Sequence, residues 1–153
     1  MTDSDTELAR AALGGKFDPA LFFKLAGSVG HGRALQLEYR DSADHWVELA
    51  LPWREELVGV AETGILASGA IVSLLDMAGS ASVWMALGKF VPMATIDLRL
   101  DYFRPALKGE TVIARCECTK LTRRVAFVRG LAHGGDPSRP IAHSAATFMI
   151  RGK

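Results

Sequence analysis

Cysteine is scarce in this 153-residue chain: there are two, Cys116 and Cys118. Their i, i+2 spacing points both to one face of a strand, where they are poorly placed to bridge each other. Two cysteines build no disulfide framework, and no second Cys/His pair at zinc spacing accompanies them. They read as small buried hydrophobes of a reduced cytosol. Charge of one sign is also missing. Eighteen basic residues face 17 acidic ones, for a net charge of +1, which excludes a nucleic-acid binder that works by bulk charge. The acidic, polar N-terminus lacks the basic start and apolar core of a signal peptide, so a cytoplasmic location is expected. There is no Walker loop, dinucleotide fingerprint or Gly-x-Ser-x-Gly elbow. His31, His45, His133 and His143 are scattered. None forms a metal-spaced pair or sits at the start of the long helix described below, and each is read as structural or exposed.

What is abundant is apolar surface: 49% of residues are hydrophobic, which argues against disorder and for buried subunit interfaces as well as a core. No repeat, low-complexity tract or linker divides the chain. One domain is expected over 1–153, with a helical extension at 1–30 and a core at 34–150. Residues 5–13 read as a short helix stopped by Gly14 and Gly15. A second helix starts after Asp18, with Pro19 in its first turn, and ends near Gly27–Gly30. Residues 34–40 and 46–51 alternate apolar and polar and predict a hairpin, with Asp41-Ser-Ala-Asp as its turn. Residues 53–62 are a connection of mixed charge. A long helix is predicted over 68–87, stopped by Gly88. Strands follow at 94–103, 110–121, 124–133 and 140–150. In the first of these Ile96, Leu98, Leu100 and Tyr102 share one face, and Asp97, Arg99 and Asp101 the other. The fold class is α+β, with one long helix against five or six antiparallel strands.

The long helix carries the chemistry. Between Thr63 and Gly88 the only ionisable residue is Asp76. Small polar residues dilute this span, and a central Asp costs about 2.5–3.5 kcal/mol on insertion scales, so a buried helix is expected rather than a membrane span. On a helical wheel Ile71, Leu74, Leu75, Ala78, Ala81 and Met85 form a core face. The opposite face holds Gly69, Ser73, Asp76 and Ser80, followed by Val83, Trp84 and Leu87 as candidates for an apolar substrate end. A helix apolar on nearly all sides needs cover beyond its own sheet, and a second subunit is the natural source.

An Asp among apolar neighbours is costly unless something pairs with it, and no basic residue lies at i±3 or i±4 of Asp76. Two readings are open. Asp76 is hydrogen-bonded by Ser73, Ser80 or a partner subunit, or it is the base or nucleophile of a site between subunits. The amides of Ser68 and Gly69 at the helix start carry the positive end of the helix dipole and can hold a developing oxyanion. The plainer alternative is that Ser68 only caps the helix and Gly69 only spaces it. Gly69 and Asp76 lie about 10.5 Å apart along one helix. Two antiparallel helices would therefore place Asp76 of one beside Gly69 of the other.

The run Gly64-Ile-Leu-Ala-Ser-Gly-Ala-Ile-Val-Ser-Leu-Leu-Asp76, followed by Thr95-Ile-Asp-Leu-Arg-Leu-Asp-Tyr-Phe-Arg-Pro-Ala106, resembles the hotdog-fold acyl-CoA thioesterases of the phenylacetate-pathway (PaaI-like) type. The resemblance covers residues 35–150. It implies a sheet wrapped around the long helix, a homodimer or dimer of dimers, and a site between subunits. It carries the catalytic acid onto Asp76 and a water-positioning hydroxyl onto Thr95. The family's carbonyl-polarising His-Gly-Gly element stands here as Ala67-Ser-Gly69, so the backbone role falls to Ser68 and Gly69 without the His. A frequent Asn of the family corresponds to Ala61, and Glu62 beside it is polar.

Arg123 and Arg124 lie at a strand turn that in the resembling family is often arginine-bearing and near the CoA phosphates, to which a guanidinium fork is suited. Arg104 is a further candidate, and a solvated hairpin tip is the plain alternative for the pair. Ser73 and Ser80 are candidate substrate contacts. The expected activity is hydrolysis of an acyl-CoA, with no metal or cofactor beyond the CoA of the substrate and no nucleic-acid or membrane partner. The alternatives are a non-catalytic acyl-CoA or lipid-like ligand-binding dimer and a dehydratase, which would need a His where Ala67 stands.

Overall fold

The computed structural model describes residues 14–151, so the helix expected over 5–13 lies outside the described residues. Helix α1 spans Pro19–Ala26, with Asp18 accepting from the Leu21 amide at its start and Pro19 in the first turn. A short helix, α2, spans Gly30–Leu35. Strands β1 (Glu38–Ala43) and β2 (Trp46–Leu51) make the hairpin. A 3₁₀ turn at Glu55–Leu57 precedes the two-stranded ribbon of β3 (Val58–Val60) and β4 (Ile65–Leu66). The long helix α3 runs Ser68–Leu87. It is followed by β5 (Met93–Tyr102), β6 (Val112–Leu121), β7 (Val125–His133) and β8 (Pro140–Ile150).

Six strands form one sheet in the order β1-β2-β6-β7-β8-β5, antiparallel at every pairing. The helix α3 lies on its inner face, mostly against β6 and β2. This is the expected α+β architecture of a sheet curled around one central helix. Leu74, Leu75, Ala78 and Ala81 are fully or almost fully buried against the sheet, Ile71 nearly so, and Met85 half so. Each large side chain among them stabilises the fold by about 1.5–3 kcal/mol through burial. The helix ends as expected at Gly88, whose φ of 67° is the left-handed conformation that costs glycine nothing. Although α3 is long and apolar enough to cross a membrane, more than half of that length is buried inside the protein.

The N-terminal helices form a second cover. Phe17 and Phe22 pack at steep angles against Trp84 at centroid distances of 5.3 and 5.2 Å, and Phe90 closes the cluster at 4.6 Å. The Trp84 indole N–H donates to the Val91 carbonyl. Val83 is completely buried.

Three local expectations need correction. Residues 34–37 are not strand: α2 ends there, at Gln36 with φ 53°. The Gln36 amide group donates to the carbonyls of Gly27 and Arg33, which offsets the cost of a left-handed non-glycine residue. The alternation of Leu35 and Leu37 was real, since both are buried, but a helix end produces it here. The hairpin turn is Asp44-His45, because Ala43 already pairs with Trp46 and β1 carries a bulge between Tyr39 and Asp41. The 53–62 connection contains the 3₁₀ turn and β3 rather than plain coil.

The link from β5 to β6 is pinned by one ion pair. Arg104 gives both terminal nitrogens to Glu110, at 2.9 and 2.6 Å, and Glu110 also accepts from the Leu107 amide. These donors hold the Glu110 carboxyl below the usual carboxylate range, the Arg104 hydrogen bond being the largest cause. Both side chains are mostly covered, at 25% and 17% exposure.

Two outcomes follow from this packing. Because the Glu110 carboxyl is depressed in the folded state, its contribution is present above the ordinary value of about 4.3 and is lost as pH falls through the folded one. Glu110→Gln is expected to lower stability to urea at pH 7 by about 1–3 kcal/mol, with the gap to wild type closing in acid. Burial pushes the Cys116 thiol up to about 12, the neighbouring Asp76 charge adding to the effect, and Cys118 is also raised by burial. Both cysteines should resist iodoacetamide at pH 8 in the native protein and react once it is unfolded.

Candidate functional site

One face of the first half of α3 is left uncovered by its own chain. Ala67, not Ser68, holds the cap position, and no side chain caps the helix. The amides of Ser68 and Gly69 therefore have no intrahelical acceptor. Ala67 is fixed from behind by its own amide, which donates to the Leu57 carbonyl at 2.8 Å. Gly59 of β3 makes that approach possible, since a Cβ there would lie 2.8 Å from the Ala67 Cα. The space around Gly69 is open, with nothing within 4 Å of where a side chain would begin. The Tyr102 hydroxyl donates to the Ser68 carbonyl at 3.2 Å. A groove of about 400 Å³ runs beside this helix start, between Ile71, Tyr102 and Pro105.

Asp76 is half-buried two turns further on. Its Oδ1 accepts a hydrogen bond from the Thr95 hydroxyl at 2.9 Å. Among the described residues no other side chain hydrogen-bonds this carboxylate and no cation pairs with it. The contact depends on an irregularity that the alternation of β5 conceals. Counted back in twos from Leu98, Ile96 would face the helix and Thr95 would face away. Instead β5 shifts register between Thr95 and Asp97: Thr95 stands opposite Phe148, and Asp97 opposite Thr147. Phe148 is buried on the inner face, and residues directly opposite in a ladder share a face. The extra residue, Ile96, is 57% exposed. The bulge thus turns Thr95 inward onto Asp76, the kind of re-aiming for which bulges occur beside functional sites.

Of the remaining candidates, Ser73 and Ser80 lie half-buried on the same helix face. Ser73 donates to the Gly69 carbonyl one turn back, at 3.0 Å. Arg123 and Arg124 are exposed at the β6–β7 turn. That turn lies beyond the row Thr95, Phe148, Ala126, Leu121 that crosses the sheet. Arg124 is thus two strands from Thr95, or about 10 Å across the sheet. Arg104 is committed to Glu110 and to the carbonyl of Pro105. Its position beside the groove is structural, and its fork is occupied. Val83 and Trp84, placed on the substrate side by the wheel, are covered by their own chain and line no open surface.

The sequence missed one polar group. His31, on α2, reaches across 42 positions to bring its Nε2 within 3.1 Å of the Ser73 Oγ. With the Ser73 proton given to Gly69, the imidazole N–H is the donor. No spacing rule could find this contact, because it depends on where α2 docks. The other histidines are elsewhere. His133 accepts from the Gly135 amide, and its basicity is lowered by burial. His45 pairs with Glu117 on the surface, and His143 packs edge-on against Phe103.

Comparison with known proteins identifies the family. Residues 63–141 match the family model described as the thioesterase superfamily. A medium/long-chain acyl-CoA thioesterase of Escherichia coli, YigI, is 31% identical over 131 residues, covering 77% of this chain and 83% of the relative. A crystallised Pseudomonas aeruginosa protein is 34% identical, with a TM-score of 0.72 over 80% of this chain and 91% of its own. A thioesterase from Haemophilus influenzae shares the fold at 18% identity, with a TM-score of 0.79 over 90% of this chain and 94% of its own. The matched segment spans the helix start, Asp76, the bulged strand and Thr95, and by both sequence and fold the chain belongs to the thioesterase superfamily.

Proposed function

We propose that the protein hydrolyses acyl-CoA thioesters to a carboxylate and free CoA at two equivalent sites in a cytoplasmic homodimer or dimer of dimers. The observation that carries this reading is the hydrogen bond from Thr95 to one oxygen of Asp76, which holds an otherwise unpaired carboxylate on an open face. Neither residue gains from that placement in a purely structural role, since a half-buried acid without a cation costs stability.

Assembly follows from two surfaces. The ten-residue β5 is an edge strand with an unpaired side, a feature that proteins cover or pair. The exposed face of the first half of α3 lies beside it. Joining two copies through both surfaces sets the α3 helices antiparallel and brings Asp76 of one near Gly69 of the other. The Ser68 and Gly69 amides polarise the thioester oxygen. Asp76 of the other copy either takes a proton from water as it adds to the carbonyl carbon, or adds directly. In the first route the oxyanion collapses, the C–S bond breaks, and the CoA sulfur recovers a proton from the Asp76 carboxyl. In the second the C–S bond breaks as the Asp76 carboxylate takes the acyl group, CoA leaves as its thiolate, and water then cleaves the mixed anhydride, restoring the Asp76 carboxylate and supplying the proton that the thiolate takes up. Thr95 orients the carboxylate in both routes, and Arg123 or Arg124 meets the CoA phosphates. The acyl-CoA activity of the YigI relatives supports the substrate class. A binding dimer without turnover is the second reading, favoured by the absence of side-chain donors at Ala61 and Ala67.

Thiol release from a panel of acyl-CoAs decides between them. Asp76→Asn is expected to lower kcat by about 10²–10⁴-fold with little change in KM, and Thr95→Val by about tenfold. Wild type that releases no thiol from any acyl-CoA, or an Asp76→Asn variant equal to wild type, defeats the catalytic assignment. Light scattering at micromolar concentration should give a dimer or larger, and a monomer would defeat the shared site.

A further inference from the structure

We propose that the cavity between α1, α2 and α3 receives the acyl chain of the thioester. This rests on the reading of the α3 face as a thioesterase site. The cavity measures about 190 Å³. Its walls are apolar: Phe23, Ala26, Leu35, Leu37 and Met77, with His31 at its edge. Sites for drug-sized ligands run to roughly 300–1,000 Å³, so this volume suits a hydrocarbon chain and not a nucleotide. A trapped water needs two to four polar partners, and the walls offer few. Unfilled, the cavity leaves Phe23, Leu35 and Leu37 without contacts on one side.

Position ties the cavity to the carboxylate. Met77 follows Asp76 directly, and Ser73 lies one turn before it. On the helical wheel Ser73 and Met77 stand about 60° and 100° from Asp76, in the same direction. His31 lines the cavity and donates to Ser73, so the cavity edge is hydrogen-bonded to the site face. A chain leaving a carbonyl at Asp76 turns a quarter of the way around α3 and enters beside this pair. The route along the helix toward its C-terminus is closed, because Phe17, Phe22 and Phe90 seal Trp84. The N-terminal extension, on this view, builds the chain-length selector.

Two variants change the cavity in opposite senses. One methylene in an apolar pocket is worth about tenfold or more in discrimination. Ala26→Leu, which fills the cavity, should lower the ratio of kcat/KM for dodecanoyl-CoA over butyryl-CoA by about tenfold, and Met77→Ala should raise it. A ratio unchanged by either variant overturns the proposal. Calorimetry with the non-hydrolysable S-dodecyl and S-butyl thioethers of CoA separates the cavity from the activity. Tighter binding of the dodecyl compound by wild type, reduced in Ala26→Leu, upholds the cavity even if no acyl-CoA is hydrolysed and the catalytic reading falls. Equal affinity for the two thioethers overturns the cavity even if hydrolysis is found. So does a change of oligomeric state in Ala26→Leu without a change in chain-length ratio, which would assign the cavity to a subunit contact.

Discussion

A helix with apolar side chains around most of its circumference cannot stand in water, and the placement of every other element answers to that. The curled sheet takes the face of Leu74, Leu75, Ala78 and Ala81. The N-terminal aromatics take the second half of the opposite side, around Trp84. What remains is a strip of about three turns, from Gly69 past Asp76 to Ser80, where small residues keep the surface shallow. The open patch is the remainder left when the covering of α3 is complete, and for that reason its only acid shares one face with the free helix-start amides two turns away and lies next to an unpaired strand edge.

Within that remainder the chemistry is set by backbone geometry as much as by residue type. Ala67 and Gly59 fix the helix start through main-chain contacts, so the amides of Ser68 and Gly69 are aimed without any capping side chain. The Arg104–Glu110 pair fixes the segment that walls the groove beside them. Thr95 reaches Asp76 because β5 takes in one residue more than its partner strand. Preorganised donors of this kind act without rearrangement as charge develops.

Much of this was legible in the sequence. Asp76 stood out through isolation, being the only ionisable residue in a long apolar span. The ends of α3 were marked by Ser68 and Gly88, and the strands by their period of two. The parts that escaped reading have physical reasons. The six-residue α2 contains Gly30 and Gly32 and has little helical preference of its own; its form is held by packing and by the Gln36 side chain. A wheel assigns faces but cannot show what docks on them, so Val83 and Trp84 seemed available when they are not. The bulge at Ile96 hides inside a run that alternates without a break, and the His31–Ser73 contact spans too much chain for any spacing rule.

The bulge carries one more consequence. Slipping the start of β5 by one residue, so that Ile96 stood opposite Phe148, would leave a regular strand, with an uninterrupted ladder and one fewer exposed apolar side chain. By the ordinary measures of sheet quality that register is the better-built one. It would also set Thr95 opposite the outward-facing Met149, away from Asp76, and leave the carboxylate unattended. The irregularity is therefore a place where regularity and the proposed chemistry oppose each other. Any process that rewarded stability alone, in the laboratory or in a lineage released from its reaction, would be drawn to straighten that strand first.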